Sequence, residues 1–182
     1  MLVACLPSTP TDGADALDDV LHEVDGATPL IHASRWEAVA AETDLVRDPS
    51  LDVADRCAPQ AVTVETTDDG LYLDIDTTDC GWYTAQQSTL AGLEAGDTLR
   101  VWAFRWANLA ADGVGRFVVA AGDPPVTLWE VFPELPDESS ALYYDDVTVA
   151  EAVPEGSPIY WHVSNHGQNV WSLIGLLRVD DE

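Results

Sequence analysis

From Ala61 onward the chain alternates. Leu71, Leu73 and Ile75 are interleaved with Tyr72, Asp74 and Asp76, and Leu99, Val101 and Ala103 with Arg100, Trp102 and Phe104. The stretches 117–119, 126–131, 147–149, 159–163 and 170–179 carry the same two-residue or continuous apolar texture. A strand sends successive side chains to opposite faces, whereas a helix repeats every 3.6 residues, so this pattern is a strand signal. Turn-forming groups bound the segments: Asp69-Gly70, Gly122-Asp123-Pro124-Pro125 and Pro154-Glu155-Gly156-Ser157-Pro158. About eight strands without intervening helices indicate a mainly β chain, an antiparallel β-sandwich of jelly-roll type.

The first third reads differently. Residues 6–27 are rich in Pro, Ser, Thr, Gly and Asp, the composition of a flexible acidic tether. Within it Leu17, Val20, Leu21 and Val24 recur at helical spacing, and Gly26 can close a short helix. Ser34-Arg35-Trp36-Glu37 has the form of a capping box; Trp36, Val39, Ala40 and Val46 would share the face of a second helix ending at Asp48-Pro49. The expectation is one or two short N-terminal helices, a tether over 1–27 and a single sandwich over 28–182. Residues 28–56 would be a leading segment packed on that sandwich. A chain of 182 residues has room for one well-filled core of this kind.

Leu2-Val3-Ala4-Cys5 resembles a lipobox, the site at which bacterial lipoprotein precursors are cleaved and acylated on cysteine. The match lacks a preceding charged and apolar leader. It is read here as the remnant of a longer precursor, the alternative being an accidental match. The resemblance implies an extracytoplasmic address, lipid-anchored or secreted, with membrane contact only through a lipid on Cys5. The chain has three cysteines. With Cys5 so assigned, Cys57 and Cys80 remain, and in an oxidising compartment they read as one disulfide.

Gly92-Leu93-Glu94-Ala95-Gly96-Asp97-Thr98-Leu99-Arg100-Val101 is similar to the entry to a central strand of galactose-binding-like jelly rolls. The stretch from Pro158-Ile159-Tyr160-Trp161-His162 to Asn169-Val170-Trp171 is similar to their final hairpin. Together with the two cysteines, the pattern resembles uncharacterised bacterial lipoprotein domains of the myxobacterial type, over about residues 55–180. That resemblance implies fold and address and transfers no catalytic residue.

Charge excludes several functions. Against 33 acidic residues stand seven basic ones, a formal net charge of −26, and every basic residue is arginine. Without lysine there is no Schiff base and no phosphate-loop lysine. Nothing in the chain suits a nucleic-acid backbone, and an anionic membrane surface would repel the folded part.

Candidate site residues fall into three groups. Trp102, Phe104 and Trp106 share one strand face, either half the core or an exposed aromatic platform. The core is the preferred reading, although Arg100 on the same face argues for a surface. His162, His166, Asn169 and Trp171 surround the final hairpin, where imidazoles and amides beside an indole could grip a sugar or a metal. A turn role for Asn165–Asn169 is the simpler reading. His-x-x-x-His holds zinc when both side chains share a helix face, which a strand and turn do not provide. Asp74, Asp76 and Asp79 are oxygen ligands that a structural calcium could use, though a solvated face explains them as well. No other cofactor is expected.

Cupin ligands, a Gly-x-Ser-x-Gly elbow and phosphate loops are all missing. The functional expectation is a non-enzymatic binding module displayed outside the cell, with carbohydrate the leading ligand class. Trp102, Trp106, His162, His166, Asn169 and Trp171 are its candidate contacts. The alternatives are a structural protein packed on a cell-envelope component and, behind both, a metal-dependent hydrolase.

Overall fold

The computed structural model describes residues 26–50, 55–67, 70–164 and 169–179. Thirteen strands run in chain order: β1 (Ala27–Pro29), β2 (Glu37–Ala38), β3 (Val62–Thr67), β4 (Gly70–Asp76), β5 (Trp82–Ser88), β6 (Thr98–Arg105), β7 (Asn108–Val114), β8 (Arg116–Ala121), β9 (Val126–Val131), β10 (Glu134–Asp137), β11 (Ala141–Thr148), β12 (Pro158–Ser164) and β13 (Val170–Val179). The first sheet has the order β11-β6-β13-β4-β3, with β1 also paired to β13. The second has the order β2-β5-β12-β8-β9, and β7 with β10 makes a separate two-stranded ribbon. The chain crosses between sheets from β4 to β5, β5 to β6, β11 to β12 and β12 to β13, so strands close in sequence face each other across the core. All pairings of named strands are antiparallel.

Side-chain parity builds the core. Leu73 and Ile75, Leu99, Val101 and Ala103, and Trp171, Leu173 and Leu176 point inward from the first sheet. They meet Tyr83, Ala85, Phe117, Val119, Trp129, Ile159, Trp161 and Val163 from the second. Phe117 sits at the centre, with ring centroids 4.4 Å from Trp171, 4.6 Å from Trp161 and 5.9 Å from Trp129. Edge-to-face and tilted aromatic contacts of this kind add to the transfer free energy of large rings. Three of the seven tryptophans, Trp129, Trp161 and Trp171, are buried in this way, and a fourth, Trp82, is buried beneath the leading segment.

The alternating second half is therefore sandwich, as the sequence pattern predicts, with more and shorter strands than its apolar runs suggest. The helix expected from the Ser34–Glu37 box does not form. Among the described residues the only helical element is a 3-10 turn at Pro59–Ala61. Glu37 and Ala38 instead pair with Gln86 and Ala85 as an edge strand, and the Val39 amide donates to the Thr84 carbonyl at 3.0 Å. The edge of β5 offers this segment a ladder, which outcompetes a three-turn helix that is marginal in water. Ser34 turns back on His32, its hydroxyl 3.1 Å from Nδ1, rather than capping a helix. The other expected helix, near 17–26, lies essentially outside the described residues. No helix among the described residues is long and apolar enough to cross a membrane.

Cys57 and Cys80 are joined, their Cα atoms 4.9 Å apart. The bridge clips the end of the leading segment to the turn between β4 and β5.

Candidate functional site

A sandwich has two outer faces, and here the leading segment covers one. On the second sheet Thr84, His162, Val118, Ala120 and Tyr160 point outward, and Val46 packs on Val118 and Ala120. The Thr84 hydroxyl is 2.7 Å from His162 Nδ1 and donates to a carboxylate oxygen of Asp44. The other Asp44 oxygen accepts the backbone N–H groups of Val46 and Arg47 at 3.0 and 3.1 Å. Arg116 donates to the Val46 carbonyl at 3.0 Å and to Glu130 at 2.7 Å, while the Arg47 guanidinium lies 4.4 Å from the Trp82 ring centroid. Residues 39–47 are thus fastened over this sheet by a polar network.

The outer face of the first sheet has no such cover among the described residues, and its cross-strand register assembles a surface. Tyr144 of β11 pairs with Trp102 of β6, which pairs with Gly175 of β13. Leu142 pairs with Phe104, Phe104 with Ser172, and Ser172 with Asp74 of β4. Asp146 pairs with Arg100, and on the far side Tyr72 pairs with Glu65 of β3. Five strands at about 4.8 Å spacing span roughly 19 Å.

The aromatic part is ordered by contacts of its own. Trp102 and Tyr144 meet edge to face at 5.6 Å, and Phe104 and Trp106 at 5.2 Å. The Arg100 guanidinium stands 4.9 Å from the Tyr144 centroid and binds both oxygens of Asp146. Those hydrogen bonds hold the Asp146 carboxyl below the usual carboxylate range. Trp106, Leu142 and Tyr144 are exposed, and Trp102 is half-buried.

Asp74 differs from the other carboxylates on this face. It is 8% exposed, and its Oδ1 is buried without a hydrogen-bond partner. Burial raises its carboxyl above the usual value, against a hydrogen bond from Ser172 that lowers it, with Glu65 and Asp76 adding like charge that raises it further.

The preference for Trp102 and Phe104 as core residues is overturned. Leu99, Val101, Ala103 and Arg105 take the inward positions of β6, and the aromatic side chains face out. The core already holds Phe117 and its tryptophan neighbours and takes the smaller set. Arg105 points inward yet is held at the sandwich end, donating to the Ser139 carbonyl at 3.0 Å and to Asp137.

The hairpin residues do not form a site. His162 and Trp171 are 0% exposed and Asn169 is 3% exposed, so no ligand on the surface meets them. His162 stacks on Trp82 at 6.3 Å, and the Trp171 indole donates to Thr77 Oγ1 at 3.2 Å. His166 lies outside the described residues. The three aspartates separate: Asp74 is buried on the outer face, an Asp76 oxygen accepts the Thr78 amide at 2.8 Å, and Asp79 is exposed in the following turn. Among the described residues no three His, Cys, Asp or Glu side chains come together as a metal would need.

Sequence reasoning missed Tyr144, Leu142 and Asp146 as neighbours of Trp102 and Phe104. The alternation of β11 was there to be read, but its register against β6 was not.

A cavity of about 540 Å³ lies at one sandwich end, lined by Val126, Leu128, Val147, Val149 and Val153 among others. Its lining, which also includes Asp123, Thr127, Glu151 and Ser157, holds no aromatic side chain.

No known family's profile matches the sequence, and no curated protein matches it. Among solved structures, a non-crystalline cellulose specific carbohydrate-binding module, CBM28, superimposes with a TM-score of 0.55 at 10% identity, over 93% of this chain and 96% of that one. The fold is the β-sandwich of that module. The arabinose-bound α-L-arabinofuranosidase MgGH51 matches with a TM-score of 0.50 at 10% identity, over 88% of this chain. This chain spans a quarter of that enzyme's length, 25%.

Proposed function

We propose that this chain is a carbohydrate-binding module that lays a polysaccharide across the outer face of its first sheet. The observation that carries the reading is the pairing of Trp102 with Tyr144 on the open face, while the opposite face is closed by residues 39–47. Aromatic rings offer a flat apolar surface to the C–H face of a sugar, and the exposed Asp146 carboxylate beside them accepts from its hydroxyls. The likeness of fold to a module described as specific for non-crystalline cellulose supports the same reading. So does the length of the face, which suits several linked sugars better than one.

The test is a panel of soluble uncharged polysaccharides (hydroxyethylcellulose, mixed-linkage β-glucan, xylan, galactomannan and laminarin) in affinity electrophoresis. At least one should retard the protein, and Trp102→Ala should abolish the retardation without unfolding the chain. Absence of retardation by every polymer overturns the reading.

The address goes with it. The Cys57–Cys80 bridge supports an oxidising, extracytoplasmic compartment. A lipid on Cys5 is proposed from the lipobox resemblance alone, and a glycan of the cell envelope is one form the partner can take. A second reading is favoured by the exposed Trp106 and Leu142, which also suit a protein surface. Self-association without glycan binding would support it.

A further inference from the structure

We infer that Asp74 makes the open face selective for uncharged glycans, acting against polymers that carry carboxylate or sulfate groups. The inference rests on the glycan-binding reading and adds the chemical class of ligand.

Arg100 is the only cation on this face among the described residues, and its guanidinium is engaged by both oxygens of Asp146. An anionic sugar therefore meets the carboxylates of Glu65 and Asp74 with no unpaired positive charge to offset them. Exposed carboxylates such as Glu65 discriminate only weakly, because salt screens them beyond about 8 Å at physiological ionic strength. Asp74 is in a different position. It lies in the row that runs through Ser172 to Phe104, next to Trp102, and protein rather than water surrounds most of it.

With Oδ1 lacking a donor, the charge is not neutralised locally by a hydrogen bond on that oxygen. A charge so placed acts through low-polarity surroundings and is screened far less than a surface group. Against a sugar anion within about 10 Å the discrimination should be of order tenfold. Uncharged sugars are not opposed, since their hydroxyl hydrogens present the positive end of a dipole. Asp74 thus acts on specificity through its field, without touching the ligand.

The groups facing Asp74 fix its pH behaviour. Glu65 on β3 and Asp76 on β4 are like charges, Ser172 on β13 is a neutral donor, and Phe104 on β6 carries no charge. All the charged ones favour protonation, as burial does. The selectivity should fade as pH falls, beginning above the range where ordinary carboxylates titrate.

The experiment compares each uncharged polymer of the panel with its carboxymethylated form. Affinities are measured by titration calorimetry at low salt and at about 0.5 M salt, where the Debye length is only a few Å. Wild type should prefer the uncharged form about tenfold, with much of the preference surviving high salt. Asp74→Asn should cut the ratio to within about twofold while keeping affinity for the uncharged polymer, and Glu65→Gln, at an exposed carboxylate of the same face, should change only the low-salt ratio. Should Asp74→Asn fail to fold, a sulfated form of the polymer, whose charge does not titrate in this range, gives the same answer: at about 0.5 M salt the wild-type ratio should collapse as pH falls from 7, before ordinary carboxylates titrate near pH 4. An unchanged ratio in Asp74→Asn, or one flat with pH, overturns the inference and leaves the glycan reading standing if Trp102→Ala still loses binding. Equal wild-type affinity for both forms overturns it too. If no polymer of either form binds, both fall together.

Discussion

Arg100 and Asp146 face each other across β6 and β11, and the guanidinium grips both carboxylate oxygens, at 2.7 and 2.8 Å. The same guanidinium stands over the Tyr144 ring, so one arginine fixes the aromatic platform and its charge. Both side chains are partly exposed, 20% and 46%, and an exposed pair contributes at most about 1 kcal/mol to folding. Arg100→Ala should therefore leave the denaturation midpoint nearly unchanged while weakening polysaccharide binding several-fold. Arg100→Lys should recover only part, because an ammonium lacks the planar fork. Asp146 has a lowered folded-state pKa, so its contribution is present above the ordinary carboxylate pKa of about 4 and is lost as pH falls through the lowered value. Denaturation and binding measured on the same samples decide the matter. A large stability loss with unchanged binding would count against the platform.

Thr84 holds the cover of the opposite face. Its hydroxyl lies between His162 Nδ1 and Asp44, and Asp44 in turn receives the amides of Val46 and Arg47. Thr84→Val keeps the shape and removes the hydroxyl shared by two buried or part-buried groups. The expected cost is about 1–3 kcal/mol. Amide hydrogen exchange at Val46 and Arg47 should quicken, since the turn that Asp44 caps is then less firmly held. Binding on the other face should not change, so a lost affinity would point to a different location for the site.

The sandwich was legible in the sequence because its strands alternate, and Leu73, Ile75, Leu99 and Val101 are core residues as their spacing predicts. The side of β6 on which a ligand would sit was not. Val101-Trp102-Ala103-Phe104 is apolar on both faces, and periodicity cannot choose between two apolar faces. Only Arg100, sharing parity with Trp102, carried the signal, and a tryptophan's usual burial outweighed it. His162 and Trp171 misled for the converse reason: a polar, aromatic hairpin looks like a site when the residues 44–47 that cover His162 lie more than a hundred positions away in the chain and the Phe117 that packs on Trp171 comes from the other sheet. Long-range register and cover are set by tertiary packing, which no local window contains.

The disulfide should matter to stability and not to binding. Cys57 and Cys80 close a loop with a sequence separation of 23, and a cross-link of that length restricts the unfolded chain by about 3 kcal/mol on the entropy model. Replacing both cysteines by alanine should lower the urea midpoint accordingly. The bridge lies by the leading segment and the β4–β5 turn, away from Trp102 and Tyr144, so the variant should still be retarded by the same polysaccharide. A midpoint that does not move would mean that the leading segment is held by its hydrogen bonds to β5 alone.

Gly115 is where the core has no room left. A Cβ added there would lie 2.9 Å from Cη2 of Trp171 and 3.2 Å from Cγ of Pro133, closer than nonbonded atoms settle. Trp171 has nowhere to go: it is fully buried, its ring centroid is 4.4 Å from that of Phe117, and its indole nitrogen donates to Thr77. Gly115→Ala should therefore cost about 1–3 kcal/mol by overpacking, and each kcal/mol should lower the melting temperature by about 2–4 °C. Trp171→Phe removes the clashing edge of the indole at the expense of a cavity, so each single change should destabilise. The pair should destabilise by less than the sum, because the added methyl then occupies space that the smaller ring vacates. Strict additivity in thermal or urea unfolding would show that Gly115 and Trp171 are not in contact. The outward neighbours of Trp171 on β13, Ser172 and Gly175, belong to the open face, and their register depends on this packing. Gly115→Ala thus asks how far core strain reaches a binding surface, read from its glycan affinity beside that of the wild type.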